Sequence, residues 1–177
     1  GFVLVIGILG AGLSVKAQQV RHEQSHRQQQ VNAKNTRPNI VFLLTDDLGF
    51  GDVGFNGQTK IRTPYFDQLA AEGKVYTHFY AGTSICAPSR STLLTGQHTG
   101  HTYIRGNKSV LPEGQEPLPK TGNGLVELLH KAGYNTAAFG KWGLGFIGST
   151  GDPLNQGFDH FYGYNSQYLA HRYFPDH

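Results

Sequence analysis

A chain of 177 residues, 38% of them hydrophobic and 15% charged, carries enough apolar side chain for one core and too much for disorder, and nothing in it points to two complete domains. Its net charge of +3 is unevenly placed: residues 1–37 hold five basic side chains against Glu23 alone, and the rest of the chain holds ten basic against eleven acidic. The basic excess therefore lies in the leader and linker, and a nucleic-acid role for the folded part is excluded, because such binding needs clustered cations on the folded surface.

No methionine occurs, so the sequence is expected to begin inside a longer chain. Phe2 to Leu13 is an apolar run too short to span a bilayer comfortably and about right for the hydrophobic region of a signal peptide. Val15, Lys16 and Ala17 follow, so cleavage is expected after Ala17, giving an exported protein, periplasmic or extracellular. A retained anchor and a buried strand are the alternatives. Gln18 to Arg37 is rich in Gln, His, Arg and Asn and reads as a polar linker. The expected organisation is a signal peptide over 1–17, a linker over 18–37 and a folded region over 38–177.

Asn39 to Leu44 is a continuous apolar run bounded by Pro38 and Asp46, which predicts a fully buried strand. Thr63 and Pro64 predict a helix start, with Phe66, Leu69 and Ala70 on one face and Gly73 as the stop. Val75 to Tyr80 alternates and predicts a second strand. A helix is expected after Cys86, with Pro88 in its first turn and Gly96 closing it; another holds Leu125, Val126, Leu128 and Leu129 before Gly133. Tyr134 to Phe139 predicts a third strand, ending at Gly140 and Lys141.

This order predicts an α/β fold with a largely parallel central sheet flanked by helices. Ligands gather outside the carboxyl ends of such strands, where Asp46, Asp47, Cys86 and Lys141 are expected to meet. Adjacent carboxylates fit a hard divalent cation, although two ligands are too few for calcium. The alternative is that Asp46 caps the turn and Asp47 is solvated.

Cys86 is the one cysteine of the chain, so no internal disulfide can form. At a helix start it sits in the field of free backbone N–H groups, and Arg90, one turn on, adds a fork suited to a tetrahedral oxyanion. An unmodified thiol there is a plausible nucleophile; a buried structural cysteine beside a surface arginine is the alternative. Asp52, His98 and His101 read as loop residues.

Cys86-Ala87-Pro88-Ser89-Arg90, followed by Leu94-Thr95-Gly96, closely resembles the signature of the type I sulfatases. Arg37 to Asp52 is similar to that family's opening strand and metal loop, and Ala132 to Gly145 to its second signature. The resemblance implies the alkaline phosphatase and sulfatase-like fold and the hydrolysis of an aryl or carbohydrate sulfate ester. It implies that a maturation enzyme oxidises Cys86 to formylglycine. One hydroxyl of the hydrated aldehyde attacks sulfur, the alcohol leaves, and the second hydroxyl expels sulfate. By the same resemblance Asp46, Asp47 and the modified Cys86 surround Ca2+, Arg90 steadies the diol, and Lys141 binds a sulfate oxygen.

Two departures stand out. Many sulfatases have histidine where this chain has Gly143. A similar bacterial subgroup has glycine there and a His-rich segment downstream, which makes His171 the first candidate for the compensating, substrate-binding imidazole and His177 the second. Sulfatases are also much longer, so half an active site is expected here, with a sheet edge and an apolar face left exposed. A phosphatase or phosphodiesterase of the same superfamily is the nearest rival, and would place Ser or Thr at position 86 with a second metal. A non-catalytic module binding sulfated glycans is the rival from another class.

Overall fold

The computed structural model describes residues 37–111 and 114–174, together with the short strand Val3–Leu4. The rest of the expected signal segment, the linker up to residue 36 and His177 lie outside the described residues. The chain divides into two compact units, Gly1–Phe79 and Tyr80–His177.

In the first unit, β1 (Val3–Leu4) pairs antiparallel with β2 (Leu43–Leu44), Val3 opposite Leu44. The buried strand expected over 39–44 is thus reduced to its last two residues, and Ile40, Val41, Phe42 and Leu43 are exposed, Val41 by 86%. A continuous apolar run encodes burial on both faces, which needs neighbouring strands and covering helices; the described residues supply only a two-residue partner.

Two 3-10 turns follow, Phe50–Asp52 and Gly54–Asn56. Asp52 belongs to the first of them and accepts the Gly49 N–H at 2.7 Å, a loop role. Helix α1 (Pro64–Glu72) begins on proline and stops at Gly73 as expected, the Gly73 N–H reaching Leu69 O at 2.9 Å. Thr63 does not cap it with its side chain. Its hydroxyl accepts the Gly54 N–H at 2.7 Å and donates to Asp67 Oδ1 at 3.1 Å, and that carboxylate also takes the Phe55 N–H at 2.8 Å. The helix start is thereby pinned to the turn before it. The second expected strand, Val75 to Tyr80, is irregular with a turn at Thr77 and His78, and Tyr76, Phe79 and Tyr80 are exposed. Alternation marks a segment suited to half burial, but a strand exists only where a partner pairs with it.

The second unit contains α2 (Cys86–Thr95), the hairpin of β3 (Ser109–Val110) and β4 (Gly114–Gln115), α3 (Leu125–Lys131), β5 (Ala137–Lys141), β6 (His160–Tyr164) and α4 (Gln167–Arg172). Strand β5 runs parallel to β6, Ala137 opposite His160 and Lys141 opposite Tyr164. The parallel pairing and flanking helices are those of an α/β fold. Helix α2 ends on Gly96 at φ 68°, the left-handed conformation that glycine adopts without a Cβ penalty.

The core of this unit is Ala87, Ile104, Leu118, Trp142 and Leu144, with Leu94, Phe158 and Phe161 packed against it. Trp142 meets Phe158 and Phe161 edge to face at centroid distances of 5.8 and 6.3 Å, and its Nε1 donates to Gly151 O at 2.7 Å. The indole therefore buries its ring without stranding its donor. Ala87 and Trp142 each adjoin a residue of interest, so this core braces the start of α2 and the end of β5.

Candidate active site

Ile85 is extended, at φ −111° and ψ 138°, and precedes α2 as its cap. Cys86 is accordingly the first helical residue, half-buried, with its thiol on the opening turn. The sequence leads one to expect free N–H groups there to hold an anion. The structure uses part of that supply internally: the Ala87 N–H donates to Asn107 Oδ1 at 3.0 Å, and Pro88 has no N–H to give.

Arg90, one turn further along, sends Nη1 to the backbone carbonyl of Lys141 at 2.5 Å. This bond ties α2 to the carboxyl end of β5. Lys141 is the last residue of that strand, and the parallel ladder continues past it, Trp142 N–H to Tyr164 O at 2.9 Å and Gly143 N–H to Asn165 O at 3.0 Å. The Lys141 side chain places Nζ 3.6 Å from Cys86 Sγ. Cys86, Arg90 and Lys141, predicted from separate segments, thus come together within one unit. An ammonium beside the reactive atom can stabilise negative charge developing on an attached anion.

Asp46 and Asp47 lie in the first unit, both exposed. They hold carboxylate oxygens within 4.8 Å of each other. Asp47 has φ 55°, a left-handed conformation unusual for a residue other than glycine. Two crowded carboxylates suit a hard cation such as calcium, which would need further oxygen ligands besides these.

His171 is exposed on the last turn of α4. The space at Gly143 is taken by another side chain: a Cβ added to Gly143 would lie 3.0 Å from Gln167 Nε2 and 3.1 Å from Gln167 Cγ. Gln167 and Asn107 were not legible as site residues; the departure at Gly143 was the one signal that some other side chain had moved in. His98 and His101 are exposed loop residues in edge contact, with His98 Nδ1 accepting the Gly100 N–H at 3.0 Å. A cleft of about 560 Å³ lined by Thr95, His101, Arg105 and Lys120 opens at the far end of α2 from Cys86 and is no part of this arrangement.

Residues 38–176 match the family model described as Sulfatase. The chain is 41% identical over 133 residues to N-acetylgalactosamine-6-sulfatase of Mus musculus, covering 71% of this chain and 25% of that protein. It is 43% identical over 127 residues to arylsulfatase G of Rattus norvegicus, covering 72% and 24%. Among solved structures, it is similar to one described as Ps i-CgsB, with a TM-score of 0.62 and 35% identity over 68% of this chain and 26% of that one. The chain spans about a quarter of the length of the curated relatives it matches. With a thiol, an arginine and a lysine gathered where the signature segments meet, and with the match running through nearly all of the described residues, the chain belongs to the sulfatase family.

Proposed function

We propose that the chain carries part of the catalytic centre of a sulfuric ester hydrolase, acting on a carbohydrate or aryl sulfate through a formylglycine made from Cys86. The observation that carries this reading is the 3.6 Å approach of Lys141 Nζ to Cys86 Sγ on the first turn of α2. A lysine there faces whatever anion is attached at position 86. Arg90, bound to the Lys141 carbonyl, holds the helix start and the strand end in register, so the nucleophile and the ammonium are delivered as one piece.

The aldehyde, once hydrated, supplies two hydroxyls on one carbon, one to attack sulfur and one to release sulfate. Asp46 and Asp47 would hold a calcium ion, which would supply positive charge to a sulfuryl group. Lys141 offers its ammonium to the anion attached at position 86, and Asn107 fixes the backbone beside it. A sulfated glycan is the favoured substrate class, because one matched relative is an N-acetylgalactosamine-6-sulfatase and one similar structure is described in complex with k-i-k-neocarrahexaose. The reading includes export, carried by the apolar run from Phe2 to Leu13, and a maturation enzyme to convert Cys86.

The test is sulfate release by the full-length protein with calcium, set against its Cys86→Ser variant. Serine offers one hydroxyl, so it can accept the sulfuryl group but has no second hydroxyl to expel it. The expected result is multiple turnover by the native protein and at most one equivalent of product from the variant. Undiminished turnover by Cys86→Ser overturns the mechanism.

A further inference from the structure

The loop after Lys141 is shaped around a side chain that arrives from elsewhere. Gly143 is buried at φ 77°, and Gln167, from the first turn of α4, lies against the place where its Cβ would be. Gln167 is only 6% exposed, and a buried carboxamide needs partners. Its Nε2 donates to Asn107 Oδ1 at 3.0 Å. The same oxygen accepts the Ala87 N–H, also at 3.0 Å. Both donors are N–H groups, so the chemistry fixes which end of the Asn107 amide faces them.

One carboxamide oxygen therefore joins the helix that begins with Cys86 to the helix that packs over the loop following Lys141. Ala87 is 1% exposed, so without Asn107 its N–H would be stranded away from water or the first turn would unwind to reach it. Asn107 can turn about its own side-chain bonds, and Gln167 restrains it. Gln167 in turn has room for its Cγ and Nε2 because position 143 has no side chain.

The geometry points to Asn107 and Gln167 as a positioning pair for the nucleophile at position 86, with Gly143 being glycine because Gln167 occupies the space a side chain would take. This deepens the hydrolase reading and rests on it. The pair touches the Ala87 backbone, one bond along the chain from the reacting residue, so it acts through α2 by fixing the direction in which position 86 faces Lys141. An imidazole at 143 and the carboxamide of Gln167 are alternative occupants of one volume.

The test uses the full-length protein, each variant first shown by mass spectrometry to carry the aldehyde at position 86, so that failed maturation is not read as failed positioning. Three substitutions are compared: Gln167→Ala, Asn107→Leu, which keeps the shape and removes the acceptor, and Asn107→Asp, which keeps an acceptor for both donors. Hydrogen exchange at the Ala87 amide is measured with kcat and KM on a sulfate ester. The expected result is faster exchange at Ala87 in Gln167→Ala and Asn107→Leu, with kcat lower by ~10–100-fold, the range for lost outer-shell support, and KM little changed. Asn107→Asp is expected to keep slow exchange and most of kcat, its added charge showing as a higher KM.

Unchanged exchange at Ala87 in the first two variants overturns the pairing. Faster exchange with kcat intact, or an equal loss of kcat in Asn107→Asp and Asn107→Leu, overturns the positioning role. If the native protein releases no sulfate from any ester while Ala87 responds as expected, the hydrolase reading has failed and the hydrogen-bonded pair stands without it.

Discussion

Lys141 contributes at both ends: its ammonium lies 3.6 Å from Cys86 Sγ, and its carbonyl accepts Arg90 Nη1. Replacing the side chain leaves the carbonyl bond in place, so Lys141→Ala separates the two contributions. Removing one preorganised donor from a developing anion typically costs ~10²–10³-fold in kcat, and that loss is expected for Lys141→Ala in the full-length enzyme, with thermal stability little altered. A variant whose kcat is unchanged would place the ammonium outside the reaction. Gly143 tests the site from the other side. At φ 77°, with Gln167 Nε2 3.0 Å from the new atom, Gly143→Ala is expected to destabilise the protein by about 1–3 kcal/mol, read by denaturant unfolding. Equal stability would mean that Gln167 moves aside freely.

At the level of elements, Asp159 binds three of them. Its Oδ2 accepts the Thr136 N–H at 2.6 Å, the Thr136 hydroxyl at 3.0 Å and His130 Nε2 at 3.0 Å, so the end of α3 and the starts of β5 and β6 share one carboxylate. The Thr136 N–H, ahead of the His130 hydrogen bond, holds the Asp159 carboxyl below its ordinary range. A carboxylate with a lowered pKa contributes stability that is present above the unfolded value and lost as pH falls through the folded one. Asp159→Asn should therefore lower Tm near neutrality, and the gap to the native protein should close as pH drops below the ordinary carboxylate range. A gap that persists in acid would assign the effect to shape and not to charge.

The same elements show what the sequence could and could not disclose. Helices α1, α2 and α3 announce themselves by Pro64, Pro88 and the glycines at 73, 96 and 133, which are local signals. Strand β5 begins three residues later than its apolar pattern suggests, because pairing with β6 sets its limits. Strand β6 takes its limits from pairing with β5, whereas α4 does carry a local start signal, Ser166, whose hydroxyl accepts the Leu169 N–H at 3.1 Å. Cys86, Arg90 and Lys141 were legible because a short motif holds the first two and a strand end the third. Asn107 and Gln167 were not, since their roles arise from hydrogen bonds spanning 20 and 60 residues.

Across the whole molecule, the apolar surface is the conspicuous feature. Phe139 and Tyr162 are register partners on neighbouring strands, exposed by 76% and 80%, and the run from Ile40 to Leu43 is likewise open. Each of these, taken by itself, is exposed apolar surface of the kind that marks an interaction site. The chain expressed alone is expected to bind a hydrophobic dye such as ANS and to self-associate, whereas the full-length protein should do neither. Dye binding equal in the two would show that these residues face solvent in the working enzyme. No helix among the described residues is long and apolar enough to cross a membrane.

In the proposed reaction Cys86 is the reacting residue and does not act as a thiol. Mass spectrometry of the peptide containing Cys86, taken from full-length protein made in a host that can mature it, tests this most directly. The expected peptide has its thiol sulfur replaced by a carbonyl oxygen, reacts with a hydrazide and resists thiol alkylation. An intact, alkylatable thiol at position 86 in protein that is turning over a sulfate ester would contradict it.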